Sequence, residues 1–520
     1  MAEAPTVATE GGILSGIFCR NGAVRAFKGV PYAAPPVGAL RWRAPEPVPP
    51  WTGTRAADRF APRCIQPDRP PTAIGYFGPE PQSEDCLYLN IWTGARSGDE
   101  RRAVMVWFHG GAYAVGSGSL PIFDGERLAL KGVVVVTANY RLGRLGFLSH
   151  PELAEEAAYG TSGNYGLLDQ VAVLRWAQRN IGAFGGDPGR VTIFGQSAGS
   201  SSVNTMMASP LARGLFHRAI GQSGGALGWH AFPLRAEAER AGLAFAQALG
   251  ARAIAELRAR PAREIQFTRP DQGGGLSETY DSNDAGAVDR STAWATLDGY
   301  VLKERARDVF ERGGQNDVPL LAGAARDEGA TLPGASSLGE FERRSRAEFG
   351  AAASDFLALY RASDDAGALQ MSRAATGHRL FNWENWLWAR LQARTGRAPV
   401  FAYHFARVPP RVPTGTEGDR SRALGAFHTA DIPYAFDHLE ARDWPWQESD
   451  RRLAEQISSY WVNFAERGDP NGNGLPVWPR FTEATQQVMR FGDGTAVGPV
   501  PDADKLAFWS AVDDGLRRGG

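Results

Sequence analysis

The stretch VTIFGQSAGSSSVNTMM, residues 191–207, decides the fold. A short apolar run, VTIF, leads into Gly195-Gln196-Ser197-Ala198-Gly199, and the residues after it can stay helical until Pro210. A serine at a sharp strand-to-helix turn, with glycines two positions to either side, exposes its hydroxyl above the edge of an α/β sheet. The pattern recurs as GQSGG at 221–225, and with 62 glycines in 520 residues, chance alone supplies on the order of half a match. The residues just after each copy separate the two. GGALG succeeds Ser223, and three glycines in five residues do not begin a helix. Ser197 is therefore the candidate nucleophile, and the amide of Ala198, at the helix N-terminus, is a candidate oxyanion donor.

Working outward, near-continuous apolar runs at 87–92, 103–108, 132–138, 191–194, 317–323 and 399–405 predict strands covered on both faces. Leu167, Val171, Leu174 and Ile181 recur at helical spacing before the GGDPGR turn. Alternating strands and helices argue for an α/β fold, a mostly parallel central sheet with helices on both faces. The first fifty residues read as small strands and turns at a domain edge, and 451–468 as a final helix. Residues 1–520 read as one large domain, with a helix-rich cap or subdomain at about 233–390; DQGGG (271–275) and PPRVPTGTEGD (409–419) read as loops.

Composition excludes several functions. With 56 basic and 57 acidic residues, net charge is -1, so no strong field favours nucleic acid or an anionic membrane. No apolar run reaches the roughly 18–20 residues of a membrane span, and the start MAEAPTVATEGG lacks the regions of a signal peptide. The three cysteines, Cys19, Cys64 and Cys86, allow one disulfide at most and match no zinc pattern. His-Glu-x-x-His and the phosphate-loop pattern are absent, and no cofactor or metal is expected.

A nucleophilic serine needs a base, an acid to orient it and a second oxyanion donor. The run AVMVWF leads into HGGAY (109–113), where the backbone of Gly110 and Gly111 can approach a substrate oxygen closely. In this fold acid and base come after the serine along the chain. Of the eight histidines, His404 falls in a strand-like run and His378 in a helical one; His428, in GAFHTADIPYAF, is the better base, with His438 close behind. The strand ending at Gly323 delivers Asp327 and Glu328 to the same edge, and spacing does not choose between them.

These motifs resemble, in order and along nearly the whole chain, the type-B carboxylesterases. The resemblance rests on FKGVPYAAPPVGALRW, EDCLYLNIW, HGGAY, GNYGLLDQVAVLRWAQRNIGAFGGDPGRVTIFGQSAG, RDEG, GAFHTADIPYAF and YWVNFAERGDPNG. It implies an α/β-hydrolase fold, with Ser197 as nucleophile, Glu328 as acid, His428 as base, and Gly110, Gly111 and Ala198 as oxyanion hole. It further implies that Ser223 donates a hydrogen bond to Glu328, and that Arg41 pairs with Glu84 and Arg141 with Asp169. It also implies a disulfide between Cys64 and Cys86 around a loop containing Tyr76 and Phe77. That loop has no Trp, where cholinesterases hold a quaternary ammonium, which argues against cholinesterase activity.

The expected function is hydrolysis of small to medium hydrophobic carboxylic esters through an acyl-enzyme, by a monomer or small homo-oligomer. The alternatives are an esterase dedicated to one xenobiotic or natural-product ester, such as a toxin or a carbamate, and a silent binding protein, against which the full triad argues. Tyr113 and Trp229 are candidates to line the substrate pocket, whereas Trp383, Trp386 and Trp388 read as core. The implied disulfide favours a secreted or periplasmic location over a cytoplasmic one, which the missing signal peptide opposes.

Overall fold

The computed structural model describes residues 3–68, 78–229, 231–269, 275–276, 289–410 and 424–519. Tyr76, Phe77 and most of the two stretches read as loops, 271–275 and 409–419, lie outside the described residues.

Among the described residues eleven strands form the central sheet: β1 (Ile17–Cys19), β2 (Val24–Pro31), β3 (Tyr88–Thr93), β4 (Arg102–Phe108), β5 (Val134–Ala138), β6 (Gly186–Gln196), β7 (Arg218–Gln222), β8 (Leu320–Ala325), β9 (Val400–Phe405), β10 (Gln487–Phe491) and β11 (Thr495–Pro499). Their order is β11-β10-β9-β8-β7-β6-β4-β5-β3-β2-β1. From β10 to β5 all neighbours are parallel, while β11 and the strands from β3 to β1 pair antiparallel at the margins. The six apolar runs thus become six strands of this sheet. β8 begins at Leu320 and not at 317, because Pro319 has no N–H for a central ladder.

Alternation along each strand feeds two cores. Val104, Val106 and Phe108 of β4 face one cluster, Ala103, Met105 and Trp107 the other. The first cluster is closed by helices α1 (Tyr165–Asn180), α2 (Ala198–Ala208) and α4 (Trp383–Thr395), the second by α5 (Glu448–Arg467). Between residues 233 and 390 the chain supplies the helices Arg235–Ala248, Leu338–Phe349 and α3 (Asp365–Gly377), together with β8 itself. A further helix, Ala503–Gly519, comes after the segment read as last.

Both expected ion pairs are present. Arg141 meets Asp169 through two nitrogens at 2.8 and 2.7 Å, both side chains buried, and Arg41 meets Glu84 at 2.7 and 2.5 Å. Removing one partner from the buried pair would cost about 3–5 kcal/mol. The expected disulfide is not present: Cys64 and Cys86 are free, buried thiols. They lie side by side, and a hydrogen bond with Cys64, reinforced by burial, holds the Cys86 thiol well above its usual range. Among the described residues no helix is long and apolar enough to cross a membrane.

Candidate active site

Ser197 joins β6 to α2 with φ 58° and ψ −125°, a conformation that L-residues adopt only under constraint. The constraint is visible in its flanks. A Cβ on Gly199 would lie 1.9 Å from the carbonyl oxygen of Phe108, and one on Gly195 2.5 Å from the Gly199 backbone. Only glycine lets β4 pass this close beneath the turn. The turn is pinned to β7 by Ser197 N–H donating to the Gln222 carbonyl at 2.9 Å and Ser200 Oγ donating to the Gly224 carbonyl at 2.6 Å.

β4 delivers the second wall. A Cβ on Gly110 would lie 3.0 Å from Cβ of Ser197, so the glycine turn rests directly against the serine. Burial lowers the His109 pKa to about 4, leaving a neutral ring whose Nδ1 lies 2.8 Å from the Gly110 carbonyl. That ring stacks on Tyr140 at 4.3 Å, and the Tyr140 hydroxyl donates to the His109 carbonyl at 2.7 Å. In a trans peptide the N–H points opposite the C=O, so fixing the Gly110 carbonyl also aims the Gly111 amide. Among the described residues the amides of Gly110, Gly111 and Ala198 donate to no acceptor.

β8 and the segment after β9 bring Glu328 and His428 together. Glu328 is buried; its Oε1 accepts from Ala325 N–H at 2.6 Å, and its Oε2 shares a short hydrogen bond with His428 Nδ1. Asp327, left open by spacing, has another task. Its N–H donates to the Ala426 carbonyl at 3.0 Å and its carboxylate accepts from Ala426 N–H at 2.6 Å, which ties the histidine loop to β8. His438 is remote from this pair, its backbone bonded to Pro433. His378 and His404 line a cleft beside β8 and β9, and burial pushes each down to about 4.

His428 Nε2 faces the side-chain amide of Gln196 at 3.1 Å, one residue before Ser197. Phe381, on the π-helical turn His378–Asn382 between α3 and α4, packs on the imidazole at a centroid distance of 4.2 Å. Sequence reasoning missed both neighbours, although Gln196 stood inside the quoted motif. It also missed Asp431, three residues after the histidine, buried and accepting from Gln222 Nε2 at 2.9 Å and Tyr403 OH at 2.7 Å. Loss of hydration raises the Asp431 pKa, opposed by those two hydrogen bonds.

Two expectations are corrected. Ser223 does not donate to Glu328: among the described residues its buried hydroxyl has no partner, and the Glu328 oxygens pair with Ala325 N–H and His428 Nδ1. Tyr113 does not line a pocket. It is fully buried against Phe147 and Trp294, and its hydroxyl accepts from Ser202 Oγ at 3.3 Å. Trp229 is half-buried beneath the Arg305 guanidinium, 3.8 Å from its ring, and Trp383, Trp386 and Trp388 belong to the core.

This sheet, the serine turn and the bonded His428–Glu328 pair define a class, and the chain belongs to the carboxylesterase family, whose model matches residues 3–509. It is a carboxylesterase with the α/β-hydrolase fold. It is 38% identical over 516 residues to fumonisin B1 esterase of Sphingopyxis macrogoltabida, covering 94% of this chain and 87% of that protein. It is 33% identical over 491 residues to para-nitrobenzyl esterase of Bacillus subtilis (strain 168), covering 93% and 94%. A solved PNB esterase structure superposes with a TM-score of 0.79 at 31% identity, covering 97% of this chain and all of that one (100%).

Proposed function

We propose that Ser197 is the nucleophile of this carboxylesterase, His428 its general base and Glu328 the acid that holds the imidazole tautomer. His428 takes the Ser197 proton as the hydroxyl attacks the ester carbonyl, and the amides of Gly110, Gly111 and Ala198 stabilise the oxyanion. The alcohol leaves with a proton from His428. Water then attacks the acyl-enzyme with the same base, releasing the carboxylic acid. The observation that carries this reading is the strained turn at Ser197, whose neighbour Gln196 lies 3.1 Å from His428 Nε2, together with a bonded His428–Glu328 pair and three amides without an acceptor among the described residues. In the resting geometry Gln196 occupies the Nε2 side of the base, and substrate binding must release it; catalytic hydrogen bonds commonly tighten only in the Michaelis complex.

The substrates are small to medium hydrophobic esters. The relatives act, by their names, on fumonisin B1 and para-nitrobenzyl esters, which supports an ester bond as the shared element and leaves selectivity to residues around it. Steady-state rates on para-nitrophenyl esters of increasing chain length test the reading. Wild type should turn them over and be labelled at Ser197 by a phosphonate probe. Retained turnover after Ser197→Ala would overturn the assignment.

A further inference from the structure

The Gln196 amide touches both nitrogens of the His428 ring. Its Nε2 lies 3.1 Å from His428 Nε2 and 3.4 Å from His428 Nδ1. An atom on the in-plane lone-pair axis of one ring nitrogen stands well away from the other, so near-equal distances put the amide over the face of the imidazole. Phe381 covers the opposite face. Its ring centroid is 4.2 Å away at an interplanar angle of 30°, which leaves no room for an amide on the same side.

Both covers are anchored. The backbone of Gln196 pairs with Gln222 in β7, and the residue is only 2% exposed. The π-helical turn carrying Phe381 is tied down by Asn382 Nδ2, which donates to the Ala325 carbonyl at 2.9 Å, and by Asn385 Nδ2, which donates to the Phe381 carbonyl at 3.0 Å. The imidazole therefore has nowhere to retreat from the amide. The other end of that amide reaches the glycine turn: a Cβ on Gly110 would lie 3.2 Å from Gln196 Oε1. A carbonyl approaching the Gly110 and Gly111 amides meets this side chain.

The π face of a neutral aromatic ring is electron-rich and attracts an N–H laid on it. When the ring takes up a proton, the same N–H faces a cation, so a donor bonded to the neutral form opposes the charged one. The charged groups nearby act in the other direction: Glu328 is bonded to Nδ1, and the field between Asp431 and His428 is attractive when both are ionised. Three further rings approach from other elements, His109 of the glycine turn and His378 and His404 beyond Glu328, and burial pushes each down to about 4, so they are neutral. Arg379, on the turn with Phe381, is matched by Glu348 at 2.8 Å.

We propose that Gln196 is a positioning residue for the base: in the free enzyme its amide, laid on the His428 ring, favours the neutral imidazole, and a bound ester displaces the side chain so that the imidazolium can form. This rests on the reading of His428 as the general base of Ser197.

The pH dependence of para-nitrophenyl butyrate hydrolysis tests it, because the acid limb of kcat/KM reports the free enzyme and that of kcat the bound one. Gln196→Met keeps the side-chain length and removes the donor. It should move the acid limb of kcat/KM up by about half a unit, the worth of such a contact, and leave the limb of kcat in place. Gln196→Glu lays a carboxylate on the same face and should move the kcat/KM limb up by about one unit or more. A merely structural role would lower the rates and move neither limb. An unmoved or lowered kcat/KM limb in Gln196→Met overturns the inference, as does an equal rise in the kcat limb. If that variant does not fold, a kcat/KM limb that stays in place in Gln196→Glu overturns it. Such failures with turnover still dependent on Ser197 remove this inference alone; no Ser197-dependent turnover in wild type would overturn the nucleophile assignment and the inference with it.

Discussion

The two copies of Gly-Gln-Ser lie on neighbouring parallel strands and do opposite things. In the first, both outer glycines admit a backbone: Gly195 and Gly199 make room for each other and for the end of β4. In the second, Gly221 makes room for a side chain, since a Cβ there would lie 2.2 Å from the Trp388 ring. The residue before the first serine, Gln196, lies against the His428–Glu328 pair. The second serine is buried, with φ 56° and a hydroxyl that has no partner among the described residues. Even the glutamines diverge. Gln196 faces the His428 ring at 3.1 Å, whereas Gln222 holds Asp431 of the histidine loop at 2.9 Å and accepts from Trp461 at 3.3 Å. The second copy is the floor on which the first is mounted. A short motif states which backbone shapes are allowed, and the neighbours decide what the shape is used for.

The sharpest way to break this comparison is to exchange the serines' fates. Ser197→Ala should lower kcat on a para-nitrophenyl ester by about 10⁴-fold or more, and Ser223→Ala by less than about tenfold. Comparable losses would dissolve the distinction. The glycines come next. Gly199→Ala drives a Cβ into a backbone oxygen 1.9 Å away and should cost about 3 kcal/mol or more in denaturant unfolding. Gly221→Ala meets the Trp388 ring, a side chain and not backbone, and should cost about 1–3 kcal/mol. Gln222→Ala leaves buried Asp431 short of a donor, for about 1–3 kcal/mol and a fall in kcat with KM little changed. A larger rise in KM than fall in kcat would place Gln222 at the substrate instead.

The smallest effect concerns the segment leaving the second copy. Glu384 accepts from the Leu227 and Gly228 N–H groups of that segment, and burial holds its carboxyl at about 7, above its ordinary value of 4.5. A raised folded-state pKa means that the folded chain keeps the proton longer than the unfolded one. The associated stability is complete below about pH 4.5, and is lost as pH rises through about 7. The Tm of wild type should therefore fall relative to Glu384→Gln between about pH 5 and 8, on the order of a few degrees. Parallel Tm curves would show that Glu384 stays ionised throughout.

Much of the fold could be read from the chain, because buried parallel strands need apolar faces on both sides and leave continuous runs such as AVMVWF. The antiparallel pair Gln487–Phe491 and Thr495–Pro499 escaped notice: β11 is largely exposed, and its pattern is weak. Ser197 could be separated from Ser223 because helix propensity after the turn is local. Glu328 could not be separated from Asp327 by spacing, because both leave the same strand; their tasks differ only through Ala426 and His428, about a hundred residues on. The donor expected at Ser223 failed for a related reason, since the partners of Glu328 are Ala325 and the distant His428, a pairing that only the folded chain sets.

By itself, the sequence determined the parallel core, the strained serine between two indispensable glycines, and the glycine turn after β4. All three depend on backbone shape, and φ/ψ limits are written residue by residue. Only the tertiary structure decided that Gln196 and Phe381 bracket the His428 ring, that Cys64 and Cys86 are unbonded neighbours, and that Tyr113 is core. Each of these is a relation between side chains far apart in the chain. Hydrogen bonds, stacking and charge act over a few ångströms of space whatever the distance along the sequence, so folding has to bring the partners together before their chemistry can be read.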